Sequence, residues 1–269
     1  MKLLAQVLLA VGLVIVVPGL QAGEAMKPNI VILATGGTIA GAAATGTQAG
    51  YTSGQVGVET LLTAVPQLAD LAQIRGEQVA NVGSQDMSDA IWLDLASRVD
   101  QLLAQEDVDG VVITHGTDTI EETAYFLNLV VRSDKPVVMT AAMRPATALS
   151  ADGPLNIYNA VAAAIDPQAA GRGVLVVIND DIHGARGMTK TSTTDVQTFV
   201  SAERGLVGAS LYGKNRWFRK PYRVHTSDSE FSLDGVKALP RVDVIYVTAD
   251  VSPDLIDAAV ANGARGLVT

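Results

Sequence analysis

Two short motifs set glycine beside threonine where an apolar run gives out, and that pairing is the first sign of chemistry. Thr35-Gly36-Gly37-Thr38-Ile39-Ala40-Gly41 follows directly on Asn-Ile-Val-Ile-Leu-Ala, and His115-Gly116-Thr117-Asp118-Thr119 follows on Gly-Val-Val-Ile-Thr. Paired glycines let main-chain amides approach an anion or a developing oxyanion, and the threonines put hydroxyls at a strand tip. A hydroxyl is a weak nucleophile near neutral pH, so a neighbour must take its proton as it attacks. Taken alone, the first motif reads equally as a glycine turn between strand and helix or as a phosphate cradle. Its spacing matches neither the dinucleotide fingerprint nor the P-loop with its Gly-Lys-Thr ending, so nucleotide binding is set aside. Taken alone, the second motif is explained by a helix start. Asp118 or Thr119 would accept amide hydrogen bonds there, Glu121 and Glu122 would favour the positive helix end, and His115 would be a packed or turn histidine.

The elements that must carry these motifs alternate along the chain. Asn29–Ala34, Glu77–Val82, Gly110–Thr114, Pro136–Ala141 and Gly173–Asn179 read as strands, and Val58–Ala72, Asp89–Leu103, Ile120–Val131 and Pro154–Ala164 as amphipathic helices. Unbroken apolar character in Val-Val-Ile-Thr and Val-Leu-Val-Val-Ile suggests strands covered on both faces. This is the pattern of an α/β fold with a doubly wound parallel sheet, in which ligands bind beyond the C-terminal ends of the strands. Both motifs fall there.

From Thr191 to about Pro240 the alternation loosens into a polar stretch with scattered aromatics, read as a short hairpin region and a linker. It then restarts. Val242–Val247 reads as a strand, Pro253–Asn262 as a helix with Ser252 as its cap and Pro253 at its first position, and Gly266–Thr269 as a strand start. The expected organisation is a signal peptide over 1–22, an N-terminal α/β catalytic domain over 23–218, a linker over 219–240, and over 241–269 the start of a smaller second α/β domain only partly present. One strand, one helix and a strand stub do not bury a core of their own.

Composition narrows the function classes. The chain has 269 residues, 48% apolar and 17% charged, enough for buried cores, and a net charge of −9 with no basic run repels phosphate backbones, so no nucleic-acid partner is expected. Lys2, the apolar run Leu3–Val17, Pro18 and the small Ala22 read as an export signal cleaved near Ala22 or Ala25, the run being shorter than a spanning helix needs, with an uncleaved N-terminal anchor as the alternative. The expected location is the periplasm, with no membrane attachment after cleavage. No cysteine is present, which removes disulfides and lipid-modified cysteine. A Gly-x-Ser-x-Gly elbow is absent, and His115, His183 and His225 lack paired ligand spacing, which disfavours serine and metal hydrolases. No metal and no cofactor are expected. An exported amino-acid-binding protein without turnover is the alternative from a different class.

Read together, the motifs resemble the bacterial type II asparaginase and glutaminase-asparaginase family. The likeness extends to Gly83-Ser84-Gln85-Asp86-Met87, Ala142-Met143-Arg144-Pro145, Ser150–Ala160 and Met188-Thr189-Lys190-Thr191, covering essentially all of the chain after the signal. The resemblance implies hydrolysis of L-asparagine to L-aspartate and ammonia through a β-aspartyl ester on a threonine. Thr38 matches the nucleophile, and Tyr51, in the flexible loop Ala42–Ser53, matches the tyrosine that assists its proton transfer. Thr117, Asp118 and Lys190 match a second catalytic cluster, in which the lysine eases removal of a proton from Thr117 and Asp118 orients the lysine and holds the substrate α-ammonium. Ser84 and Gln85 match ligands for the α-carboxylate and α-ammonium, although Ser84 and Asp86 would also serve as caps of the following helix. The carbonyl of Ala142 matches the group that receives the leaving nitrogen.

Gly-Ser-Gln-Asp-Met resembles the asparagine-selective forms, where permissive ones carry Ser-Glu-Ser. Because one methylene separates the substrates and is worth only about 1–3 kcal/mol, weak glutaminase activity is expected, and a dual glutaminase-asparaginase is the alternative within the family. The resemblance further implies a homotetramer, a dimer of dimers, whose sites are completed by an asparagine and a glutamate from a neighbouring subunit's C-terminal domain. Those positions would lie beyond Thr269, so little activity is expected of the chain by itself.

Overall fold

The computed structural model describes residues 26–48 and 50–269. The export signal read at residues 1–22 lies outside the described residues. Among those described, no helix is long and apolar enough to cross a membrane.

Eight strands form the main sheet. Five run parallel: β1 (Asn29–Gly36), β2 (Gln73–Val82), β3 (Gly110–Thr114), β4 (Val137–Thr140) and β5 (Val174–Ile178). Their spatial order is β5-β4-β3-β1-β2. Every residue of β3 and β5 is buried, as their unbroken apolar character predicts.

The two faces follow from the strand period of two. Val31, Leu33, Val111, Ile113, Val137 and Met139 pack with α3 (Asp89–Leu103) and α4 (Ile120–Val130) in one core. Their neighbours Ile30, Ile32, Val112, Val138, Leu175 and Val177 pack on the opposite side with α1 (Val58–Thr63), α2 (Leu68–Leu71) and α5 (Gly153–Ala164). The sheet is thus wound on both faces, as expected. Its direction of winding reverses at β1, whose neighbours are β2 and β3, and in open α/β sheets ligands bind beyond the strand ends at such a switch point.

Several details depart from the sequence expectations. The single helix expected over Val58–Ala72 is two short helices, because Pro66 disfavours helical geometry at Val65 and lacks an amide hydrogen. The polar stretch after Thr191 contributes more than one hairpin: β7 (Thr189–Lys190) pairs with β8 (Phe199–Val200) in a separate ribbon, while β9 (Gly208–Leu211) and β10 (Lys214–Trp217) join the main sheet. They do so through β6 (Asp181–Gly184), so three antiparallel strands extend the parallel five. Ser88, rather than Ser84 or Asp86, caps α3, its hydroxyl accepting from the Ile91 amide at 3.4 Å.

Residues 219–240 lie against the sheet domain: the Arg132 guanidinium donates to the Ser229 carbonyl (3.0 Å), and Leu233 packs on the α3–α4 core. Beyond them β11 (Val242–Val244) and β12 (Gly266–Val268) run parallel, joined by α6 (Asp254–Ala261). Pro253 occupies the cap position of α6 and Ser252 accepts from the Asp254 amide (3.3 Å), one residue away from the arrangement expected. This single βαβ unit leaves Val244, Tyr246, Leu255 and Val260 exposed.

Candidate active site

The C-terminal ends of β1 and β3 bring the sequence motifs together because glycine allows their backbones to touch. Gly36 and Gly37 both hold positive φ, 106° and 79°. A Cβ on Gly37 would lie 2.3 Å from the Cα of Gly116, and one on Gly116 would lie 2.5 Å from Ser84 Oγ. Thr35 adds a tie, its hydroxyl donating to the Thr114 carbonyl at 3.0 Å. The Gly37 amide is itself occupied within the fold, donating to the Val82 carbonyl at 2.8 Å.

Thr38 opens a short 3₁₀ turn, Thr38–Ala40, and is buried. Its Oγ1 lies 2.6 Å from the phenolic oxygen of Tyr51. The tyrosine reaches it because the loop folds back on itself, Ala42 and Thr52 exchanging two main-chain hydrogen bonds of 3.0 Å, and its ring lies against Gly41. The loop rests on the segment after Ala142-Met143-Arg144-Pro145: the Ala43 amide donates to Thr147 Oγ1 (2.9 Å) and the Leu149 amide to the Gly46 carbonyl (3.1 Å).

Thr117, Asp118 and Lys190 form the second cluster. Lys190 Nζ donates to Thr117 Oγ1 at 2.9 Å and to Asp118 Oδ1 at 2.6 Å. The Lys190 side chain is 13% exposed and that of Asp118 57%, so solvent screens much of the ion pair and its value lies in aiming the amine. Neither Asp118 nor Thr119 caps α4 with its side chain, as the local reading allowed. Asp118 turns to the lysine, and the Thr119 hydroxyl donates to the Ser84 carbonyl at 2.8 Å. Ser84 is buried and its Oγ accepts from the Asp118 amide at 3.1 Å, which joins this segment to the second cluster. Gln85 is exposed, its amide donating to Asp86 at 3.3 Å.

Ala142 is buried in the turn after β4. The Asp152 carboxylate shapes that turn by accepting from the amides of Met143 and Arg144, both at 2.9 Å, and Asn156 donates to the Ala141 carbonyl at 2.9 Å. His115 is a packed histidine. Its Nδ1 faces the Gly116 carbonyl (2.7 Å), its Nε2 faces Thr123 Oγ1 (3.0 Å), and burial holds its pKa down at about 4. Among the described residues, no group of three His, Cys, Asp or Glu side chains is placed to hold a metal ion.

Sequence reasoning missed three supports: Asp152, Asn156 and Glu121. Glu121 was read only as a charge favouring the helix start. In the structure its two carboxylate oxygens accept from the Thr189 hydroxyl (3.0 Å) and the Lys190 amide (2.6 Å). The acidic residue before Gly153-Pro154 was the one available signal for Asp152; nothing local signals the partner of Glu121, which is almost seventy residues away.

Comparison with known proteins gives a consistent likeness. The family model described as "Asparaginase, N-terminal" matches residues 29–223. The chain is 52% identical over 253 residues to L-asparaginase 2 of Escherichia coli, covering 94% of this chain and 72% of that protein. It is 48% identical to a Haemophilus influenzae protein named "Probable L-asparaginase periplasmic", covering 92% and 70%, and 47% identical to the glutaminase-asparaginase of Pseudomonas fluorescens, covering 89% and 66%. The solved structure of the probable cytoplasmic L-asparaginase from Campylobacter jejuni superposes with a TM-score of 0.87 at 46% identity, covering 90% of this chain and 74% of that one. This chain therefore spans about seven tenths of the length of these relatives.

Proposed function

The chain belongs to the asparaginase family, and from that premise we propose that it hydrolyses L-asparagine to L-aspartate and ammonia. The observation that carries the reading is the pair of hydroxyls on adjacent strand ends, each with its own proton partner: Thr38 with Tyr51 and Thr117 with Lys190. In the proposed reaction Thr38 Oγ1 attacks the side-chain amide carbon as its proton is relayed through the Tyr51 hydroxyl, which accepts it while passing its own proton to the amide nitrogen. The C–N bond then breaks, the nitrogen leaves as ammonia, and a β-aspartyl ester remains on Thr38. Water attacks that ester, its proton returning through Tyr51 to Thr38 Oγ1 as that bond breaks and aspartate is released. Thr117 and Lys190 serve proton removal in the second cluster, Ser84, Gln85 and Asp118 hold the α-carboxylate and α-ammonium, and the Ala142 carbonyl receives the leaving nitrogen.

Asparagine is the preferred substrate in this reading and glutamine a weak one, since a single methylene gives limited discrimination. The proposed setting is the periplasm, reached through the signal read at residues 1–22, and the proposed assembly is a homotetramer; a relative named periplasmic supports the first. Residues 23–218 form the proposed catalytic domain, 219–240 a linker, and 241–269 part of a second α/β domain.

Ammonia release from asparagine and from glutamine by the full protein and by its Thr38→Ala variant tests the reading. Release from asparagine that disappears in the variant upholds it. Release from neither amide, with ligand binding retained, replaces it with an amino-acid-binding protein.

A further inference from the structure

We propose that Glu121 is a positioning residue that aims Lys190 at Thr117, acting on the reaction only through that lysine; the proposal rests on the amidohydrolase reading above. Lys190 occupies an insecure place for a residue that must be held to a fraction of an ångström. Its strand β7 is two residues long, pairs only with β8 and belongs to a ribbon separate from the main sheet. The ribbon is footed in the core through Met188 and Phe199. That footing fixes where the ribbon sits and leaves the main chain at Lys190 without a partner on the α4 side.

The Glu121 carboxylate fills that gap with two bonds to consecutive residues, the Thr189 hydroxyl at 3.0 Å and the Lys190 amide at 2.6 Å. The second is short and charge-assisted, the stronger class of hydrogen bond. The Lys190 ammonium has its ion pair elsewhere, on Asp118 at 2.6 Å. Glu121 thus grips the backbone while Thr117 and Asp118 hold the amine. Glu121 also lies in the first turn of α4, four residues after Thr117, so one helix start carries both the hydroxyl and the clamp on its proton partner. A charge that merely favoured the helix end would need no such contacts. Glu122, beside it in the same turn, is exposed and fills that role equally well.

The clamp makes a prediction that depends on chemistry rather than size. In Glu121→Gln the amide oxygen accepts from the Lys190 amide, and the new NH₂ donates to the Thr189 hydroxyl, which turns to accept. Glu121→Gln should therefore keep kcat within about threefold of wild type. Glu121→Ala loses both bonds and should lower kcat about 10- to 100-fold with KM changed less than threefold, the size that follows when a reacting group shifts by about an ångström. On a Lys190→Met background, Glu121→Ala should cost less than about twofold more, because its effect passes through the lysine.

Steady-state ammonia release from asparagine by the full protein and these variants tests the clamp, with hydrogen exchange at the Lys190 amide as a readout independent of turnover. Exchange should quicken in Glu121→Ala and stay slow in Glu121→Gln. Should Glu121→Ala fail to fold, Glu121→Gln combined with Thr189→Val, which removes only the bond to the Thr189 hydroxyl, should give an intermediate loss of kcat. The inference is overturned by wild-type kcat or unchanged Lys190 exchange in Glu121→Ala, by an undiminished effect on the Lys190→Met background, or by wild-type kcat in the double variant. A wild-type protein that releases no ammonia overturns the amidohydrolase reading instead, and the exchange result still decides whether Glu121 fixes the strand.

Discussion

Gly37 and Gly116 meet main chain against main chain: a Cβ on Gly37 would stand 2.3 Å from the Cα of Gly116 and 2.4 Å from its amide nitrogen. This contact joins the ends of β1 and β3, and with them Thr38 and Thr117, each the next residue along its chain. The approach of the two hydroxyls is therefore set by backbone packing before any side chain is considered.

Gly37→Ala should be severe, since it combines a positive φ of 79° with a clash against backbone that has no way to rotate aside. Overpacking and strain of this kind cost about 1–3 kcal/mol each. Gly116→Ala should be milder, because its new methyl meets mainly the Ser84 side chain, Oγ at 2.5 Å and Cβ at 2.6 Å, with Gly37 Cα farther at 3.1 Å, and Ser84→Gly should relieve most of it. Denaturant midpoints of the single and double variants test this; equal relief of Gly37→Ala by Ser84→Gly would show that the backbone contact is not the cause.

The 2.6 Å contact between Thr38 Oγ1 and the Tyr51 hydroxyl predicts a kinetic split. Tyr51→Phe keeps the ring against Gly41 and removes only the hydroxyl proposed to carry the proton. General acid–base assistance is worth about 10²–10⁴-fold, so kcat for ammonia release should fall by about that factor with KM little changed. A change confined to KM would reassign Tyr51 to binding.

The Asp152 carboxylate holds the turn that carries Ala142 through two amide donors, both at 2.9 Å. Asp152→Asn should be nearly as damaging as Asp152→Ala, because one of its atoms becomes an NH₂ facing an N–H. Each should cost about 1–3 kcal/mol of stability and lower kcat about tenfold or more. This contrasts with Glu121, where a hydroxyl partner that turns makes the amide tolerable. Thermal unfolding and steady-state rates of the two variants decide it; an Asp152→Asn protein matching wild type in both would remove Asp152 from the support of the turn.

What was legible in the sequence was what local pattern dictates. The parallel strands, α3 and α5 carry strong periodicity or unbroken apolar runs, and β3 and α3 fall on the residues expected. The glycine-threonine motifs announced the strand ends. The break at Pro66 was readable from proline geometry and overlooked, because the apolar spacing continues across it. The hairpin of β9 and β10 falls in the stretch read as a hairpin region, but its strands, and β6, carried no individual signal: their pairing is antiparallel and they are only four residues each, too short for an alternation to register. Glu121 and Asp152 were illegible as supports because a side chain's partner is fixed by the fold, and only the residue type is fixed by the sequence.

The buried histidines predict how stability depends on pH. Burial holds both His115 and His183 down at about 4, against an ordinary value of 6.5. At His115 the hydrogen-bond chain runs one way: Trp92 Nε1 donates to Thr123 Oγ1 (2.8 Å), leaving that hydroxyl to donate to Nε2 and the ring proton on Nδ1 to face the Gly116 carbonyl. A second ring proton would point at the Thr123 hydroxyl hydrogen. The unfolded chain therefore binds protons near pH 6.5 that the native state refuses until about pH 4. Stability is fully present above 6.5 and is lost as pH falls through that window, by about 3 kcal/mol per histidine. Asp100 and Asp181, whose carboxyls burial pushes up, act in the opposite sense nearer pH 4 and soften the lower end of the fall. Urea midpoints from pH 7.5 to 4 should be level and then drop below about 6.5, with both rings neutral by NMR at pH 5.5. Either ring titrating near 6.5 in the folded protein would mean that water reaches it, and would remove its share of the drop.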